Sequence, residues 1–153
     1  MRLTTQTDYA LRTLMFLATQ EESCTIDDIA SAYGISKNHL MKVVQRLASA
    51  GFIISQRGRG GGLMLAHEAA EINIGTVVRA MEEFNQFVEC SPGSTNHCVI
   101  TPICGLSHML ADAVEAFLCH LDGFTLSDAI KQKKAFSDIF EAMAHTEKSA
   151  PAG

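Results

Sequence analysis

Three observations predict a mainly α-helical chain with one small β-hairpin. Apolar residues recur at helical spacing from Tyr9 to Leu47, two short apolar runs flank a glycine-rich stretch, and a broad apolar stripe runs from Leu106 to Leu121.

Thr5-Gln6-Thr7-Asp8 forms a capping box that starts the first helix, with Thr5 as cap and Asp8 in the first turn. Tyr9, Ala10, Leu11, Leu14, Met15, Leu17 and Ala18 give that helix its apolar face, to about Thr19. Thr25-Ile26-Asp27-Asp28 offers a second capping box, and the second helix runs to Tyr33. Gly34 closes it in a left-handed conformation, and Ser36 caps the third. Leu40, Val43, Val44 and Leu47 form the buried stripe of this third helix, leaving Lys37, Asn38, Lys42, Gln45 and Arg46 on other faces. Two short helices, a tight glycine turn and a third helix with a polar outer side make a helix-turn-helix.

Gly51-Phe52-Ile53-Ile54-Ser55-Gln56 reads as a short strand and Gly62-Leu63-Met64-Leu65-Ala66 as its return. The loop between them, Arg57-Gly58-Arg59-Gly60-Gly61, carries two positive charges and no acid, and its glycines permit close backbone approach. Directly after a helix-turn-helix, such a hairpin is a wing. Asn73 caps a further short helix that ends near Glu82 or Glu83, with Ile74, Val77, Val78 and Met81 inward. Phe84, Phe87 and Val88 then pack up to Cys90.

Thr101 as cap and Pro102 at the first helical position start a long helix, with Cys104 in its first turn and Gly123 at its end. The stripe of Leu106, Met109, Leu110, Ala113, Val114, Phe117, Leu118 and Leu121 is too broad for the small head to cover, which implies a helix-mediated homodimer. Thr125-Leu126-Ser127-Asp128 begins another short helix, and Phe136, Ile139 and Phe140 mark a last apolar segment. The predicted fold class is therefore mainly α with a small β-hairpin wing: a winged helix-turn-helix plus a long dimerisation helix. Its expected parts are a DNA-binding head over 1–83, a cysteine-rich loop over 84–104, and the dimerisation helix over 101–123. A C-terminal helical segment follows over 124–144, then a disordered tail over 145–153.

The chain of 153 residues is 47% hydrophobic, yet no window approaches the roughly 18 uninterrupted apolar residues of a membrane span. Its first residues lack the apolar core and cleavage site of a signal peptide, so a cytoplasmic location is expected. The formal net charge is -5, but residues 1–66 hold seven Lys/Arg against five Asp/Glu, and residues 67–153 hold five against twelve. A weakly basic head beside an acidic remainder permits DNA binding through a local patch.

Five cysteines in such a chain argue against a disulfide framework and toward metal or redox use. Cys90, Cys98 and Cys104 form a three-thiolate set with seven and five residues between them. Soft thiolates select iron–sulfur clusters, zinc or copper(I), and the close cysteine pair common in structural zinc sites is missing. Cys104 in a helix's first turn would place free amides and the helix dipole beside a thiolate or an anionic cluster. Three cysteines leave a fourth ligand to find. His97 and His108 are near in sequence, whereas Asp8, Cys24 and Cys119 would have to approach in space. The bland alternative is a reactive thiol with two bystanders. Cys119, within the apolar helix, reads as a buried small hydrophobe.

Taken together, several motifs resemble the winged-helix iron–sulfur transcriptional repressor family of the NsrR/IscR-like kind, over roughly residues 1–140. They are Met1-Arg2-Leu3-Thr4, Asp8-Tyr9-Ala10-Leu11-Arg12, Tyr33-Gly34-Ile35-Ser36, Arg57-Gly58-Arg59-Gly60-Gly61-Gly62, the three cysteines and Phe124-Thr125-Leu126-Ser127-Asp128. His97-Cys98-Val99-Ile100-Thr101-Pro102-Ile103-Cys104, with Asp8, is most similar to the nitric-oxide-sensing branch. The resemblance implies a homodimer whose cysteines bind an iron–sulfur cluster, [4Fe-4S] favoured over [2Fe-2S], with Asp8 of the opposite subunit as oxygen ligand. The assembly-regulator branch instead uses a histidine three residues beyond the third cysteine, where this chain has Ser107. The spacing from Cys90 to Cys98 is also longer than in several relatives.

The function so implied is repression at double-stranded operator DNA, relieved or changed when nitric oxide reaches the cluster. The third helix would enter the major groove, with Asn38, Lys42, Gln45 and Arg46 nearest base edges and phosphates. Ser36 and Lys37 would meet the backbone, and Arg57 and Arg59 of the wing the minor groove or its flanking phosphates. An iron- or redox-responsive regulator of the same family is one alternative. A small iron–sulfur electron-transfer protein and a zinc-stabilised DNA-binding protein are others. No set of residues forms a recognisable catalytic constellation, so an enzyme is not expected.

Overall fold

The computed structural model describes residues 2–56, 58, 61–84, 88–91 and 95–148, with the backbone alone at 141 and 144–148. Helix α1 (Thr5–Thr19) starts the head. Its cap is Thr4 rather than Thr5: the Thr4 hydroxyl accepts from the Thr7 amide at 3.3 Å. The reason lies far along the chain, because the Glu82 carboxylate accepts from both the amide and the hydroxyl of Thr4, at 3.0 and 3.1 Å. Asp8 also departs from expectation. Its carboxylate takes no capping role and pairs with Arg12, one turn on, at 3.1 Å.

Helix α2 (Ile26–Tyr33) opens with the expected reciprocal box, Thr25 N–H donating to Asp28 at 2.7 Å and Asp28 N–H to the Thr25 hydroxyl at 3.2 Å. Gly34 ends it at φ 61°, a conformation that costs glycine little and other residues more. Helix α3 (Lys37–Ser49) follows. Ser36 occupies its N-cap position, but its hydroxyl makes no capping bond. Leu40, Val43, Val44 and Leu47 are all buried, and truncating Leu40 to Ala would cost about 2–5 kcal/mol.

Strands β1 (Ile53–Ser55) and β2 (Leu63–Leu65) pair antiparallel, Ile53 opposite Leu65 and Ser55 opposite Leu63. On its other edge β2 bonds to Cys24, whose N–H donates to the Leu63 carbonyl at 3.0 Å and whose carbonyl accepts from the Leu63 N–H at 2.7 Å. Gly62 makes this approach possible, since a Cβ there would lie 2.9 Å from the Cys24 carbonyl oxygen.

Helix α4 (Ile74–Met81) is capped by Asn73, as expected, through the Thr76 amide at 2.9 Å. The Asn73 amide also donates to the Asp122 carbonyl at 2.7 Å, stitching α4 to the end of the long helix. That helix, α5, spans Gly105–Asp122. It does not start at Thr101: residues Thr101–Ile103 make one 3₁₀ turn, and Cys104 is extended at φ -86°, ψ 108°. The Thr101 hydroxyl turns back to the Cys98 carbonyl at 2.9 Å instead of capping a helix. Cys104 is consequently the N-cap of α5, one position before the first turn.

Helix α6 (Leu126–Ala129) carries the Thr125–Asp128 capping box, and α7 (Lys133–Lys148) completes the fold. Its helical backbone continues past His145, where a disordered tail was expected. Phe140 of α7 packs on Phe16 and Tyr33, ring centroids 5.0 and 5.3 Å away. One core results, shared by α1, α2, α3, the hairpin, α4, Leu126 and Phe140. By contrast, α5 has only Leu118 buried among its residues. No helix among the described residues is long and apolar enough to cross a membrane.

Candidate nucleic-acid interface and cysteine loop

The head turns the polar side of α3 outward. Ser36, Lys37, Asn38, Lys42 and Gln45 are exposed, while the opposite stripe anchors the helix in the core. The Lys37 ammonium rests 2.6 Å from the Asp27 carboxylate in a pair more than half exposed. Such a pair contributes about 0–1 kcal/mol and yields readily to a phosphate. Arg46 behaves differently. Its guanidinium is turned toward the protein, Nη1 donating to the Gln6 side chain at 2.9 Å and Nη2 to the Ala80 carbonyl at 3.0 Å. Arg57 and Arg59 lie outside the described residues; Gly58 between them stands at φ 111°.

Met41 escaped the sequence reading. It is 50% exposed in the middle of the polar face, a position where an apolar group can meet a thymine methyl. The available signal was its phase, since residue 41 falls off the stripe defined by Leu40, Val43, Val44 and Leu47.

The three loop cysteines are free and partly buried. Turns hold the segment around Cys98: its amide donates to the Asn96 side chain at 2.9 Å, and Asn96 in turn donates to the Thr101 hydroxyl at 2.9 Å. The His97 amide donates to Glu89 at 3.3 Å. Cys104 stands at the N-terminus of α5 without a side-chain cap there, so amides of the first turn face outward unpaired with a capping group. Among the described residues no three His, Cys, Asp or Glu side chains gather closely enough to hold a metal ion. The donor chemistry nonetheless fits a soft, anionic metal centre, being three unpaired cysteines of which one adjoins an uncapped helix N-terminus. His97 and His108 are both exposed.

Asp8 sits apart from the loop cysteines, on α1, at the edge of a cleft of about 580 Å³ shared with Leu3, Tyr9 and Tyr33. The Arg12 guanidinium lies between the Asp8 carboxylate and the Tyr33 ring, 5.8 Å from the ring centroid. Burial pushes the Tyr33 phenol up to about 12, against the pull of Arg12. The two remaining cysteines have separate environments. Burial, followed by the charges of Asp28 and Glu22, pushes the Cys24 thiol up to about 11, which keeps it protonated beside β2. Cys119 is exposed rather than buried, because α5 lacks cover on that side. Its thiol donates to Glu115 at 3.3 Å, and that bond raises its pKa.

Known proteins share both the architecture and the sequence. The Rrf2 family model, described as an iron-dependent transcriptional regulator, matches residues 3–132. The HTH-type transcriptional regulator NsrR of Bacillus subtilis is 49% identical over 136 residues, covering 88% of this chain and 93% of that protein. Its counterpart in Bacillus licheniformis is 50% identical over 132 residues, covering 85% and 92%. Among solved structures, IscR of T. potens superposes with a TM-score of 0.69 at 22% identity, over all of this chain and 94% of that one, a likeness of fold. This protein accordingly belongs to the Rrf2 family of winged-helix, DNA-binding transcriptional regulators, and it is a regulator rather than an enzyme.

Proposed function

We propose that the chain works in the cytoplasm as a homodimeric repressor whose operator binding responds to nitric oxide through an iron–sulfur cluster. The observation that carries this reading is the set of three free cysteines on one loop, ending at the uncapped N-terminus of α5. Cys90, Cys98 and Cys104 would hold the cluster, [4Fe-4S] in preference to [2Fe-2S], with Asp8 of the second subunit as the oxygen ligand. When bound, the cluster supplies iron that reacts with nitric oxide.

The chain's own residues give Asp8 two places to be. In the free head its carboxylate rests on Arg12, with the two side chains 48% and 45% exposed. A pair that wet contributes about 0–1 kcal/mol, too little to hold a carboxylate against a metal bond. Asp8 can leave Arg12 to coordinate and return to it afterwards, which makes the first turn of α1 sensitive to the state of the loop. Dimerisation is supported by α5, where Leu106 and Met109 are 57% and 68% exposed. A second α5 would bury them. On DNA, Asn38, Lys42 and Gln45 face the major groove, Ser36 and Lys37 the backbone, and Arg57 and Arg59 the neighbouring minor groove.

Anaerobically purified protein should contain iron and sulfide and show the absorption and Mössbauer signature of a [4Fe-4S] centre. Titration with nitric oxide should change the affinity for one operator at matched salt. Equal affinity before and after nitrosylation would end the nitric-oxide reading. A D8A variant with unaltered iron coordination would remove Asp8 from the ligand set. The family's iron-dependent description favours iron supply as a second reading. A parallel titration with an iron chelator separates the two signals.

A further inference from the structure

Arg46 occupies the last turn of the recognition helix α3 without using its charge on the outer face. Its planar fork spans two elements instead, reaching Gln6 on α1 at 2.9 Å and the Ala80 carbonyl on α4 at 3.0 Å. That carbonyl is among the last four of α4, which have no partner within the helix and sit at its negative end. Two residues further on, Glu82 leaves α4 and grips the start of α1, accepting from the Thr4 amide at 3.0 Å and from the Thr7 hydroxyl at 2.5 Å. Thr7 is fully buried, and the next residue is Asp8. Cys90 lies eight residues beyond Glu82 in the sequence. Three elements therefore meet at one polar junction: the helix that carries Asp8, the helix that leads to the cysteine loop, and the helix that faces DNA. Beside it runs a cleft of about 750 Å³ lined by Arg2, Gln6, Arg46 and Phe84.

The geometry points to Arg46 as a positioning residue, one that ties the pose of α3 to the ends of α1 and α4 and so passes a displacement at the cluster ligands to the DNA-facing surface. This assignment rests on the cluster-dependent repression proposed above. It also removes Arg46 from the DNA-contact set expected from sequence. Reaching a phosphate would break both bonds and strip the Ala80 carbonyl of its partner. Only a forked, planar cation serves both acceptors at once; a lysine keeps the charge and supplies a single point.

The test compares wild type, R46K, R46Q and Q6A. Operator affinity is measured for cluster-loaded and cluster-stripped dimer across a salt series, with a thermal melt to establish folding. Coupling between sites commonly amounts to about 5–150-fold, and the wild-type ratio of loaded to stripped affinity should fall in that range. R46K should bring the ratio toward one while the salt dependence of the stripped protein stays that of the wild type. Q6A, altered at an exposed position, removes the α1 acceptor without threatening the fold and should lower the ratio in the same direction. A wild-type ratio preserved in both R46K and Q6A overturns the assignment. So does a salt slope reduced by about one in R46Q, which is the mark of a lost phosphate contact. A ratio of one in the wild type itself overturns the parent reading, an outcome distinct from either.

Discussion

A methyl group added at Gly62 is a direct test of how the wing is seated. The Cβ of G62A would lie 2.9 Å from the Cys24 carbonyl oxygen and 3.1 Å from both its carbonyl carbon and its nitrogen. These are backbone atoms and have no rotamer by which to escape. Strand β2 must therefore retreat from Cys24, weakening the two bonds at 2.7 and 3.0 Å between Cys24 and Leu63. At about 0.5–1.5 kcal/mol each, their loss amounts to about 1–3 kcal/mol, the range also typical of overpacking. For a chain of this size 1 kcal/mol shifts the melting midpoint by about 2–4 °C, so a fall of roughly 2–12 °C is expected. The assay is thermal circular dichroism on cluster-free protein at one fixed concentration, since dimer stability depends on concentration. G105A is the control. Nothing lies within 4 Å of a Cβ there, and the position opens α5, so its midpoint should equal or exceed that of the wild type. The displaced hairpin should also weaken operator binding. A G62A protein that melts with the wild type would refute the tight approach of β2 to Cys24.

Three further outcomes follow from separate parts of the molecule. K42Q should weaken operator binding and reduce the salt slope by about one, whereas an unchanged slope would take Lys42 off the phosphates. M109K places a charge at a residue 68% exposed in the single chain and should yield a monomer in sedimentation velocity; a persistent dimer would move the interface off that part of α5. The Arg79 hydrogen bond holds the Asp122 carboxyl below its ordinary value. A depressed pKa in the folded state contributes stability that is present above the unfolded value, about 3.9, and disappears as pH falls through the folded one. Melts from neutral to acid pH should thus show the advantage of wild type over D122N shrinking in that acid window, and a pH-independent difference would contradict the linkage.

Much of the head is legible residue by residue. The Thr25–Asp28 box, the helix start at Thr125, the Asn73 cap, the left-handed Gly34 and the stripe of Leu40, Val43, Val44 and Leu47 all stand where local patterns place them. Each depends on bonds or contacts within about one helical turn, or on the backbone freedom of a single residue, which adjacent sequence specifies. The three loop cysteines were equally plain as a soft donor set, because ligand chemistry depends on residue type before it depends on placement.

Other features needed partners that only the folded chain supplies. Thr4 displaced Thr5 as the cap of α1 because Glu82, 78 residues away, reaches it. Two departures are local instead: Asp8 pairs with Arg12 one turn on, and Cys104 is the N-cap of α5 because Thr101 turns back to Cys98. Cys119, inward by periodicity, is exposed because the described residues leave that side of α5 open. Arg46 shows the division most clearly. Its position on the polar side of α3 suggested DNA, yet its guanidinium joins Gln6 and Ala80. By itself the sequence determined the order of elements, the caps of α2 and α4 and the chemistry of the thiols, since these arise from neighbours along the chain. The tertiary structure decided where the long polar side chains spend their hydrogen bonds, because a flexible cation or carboxylate chooses among acceptors that folding alone brings within reach.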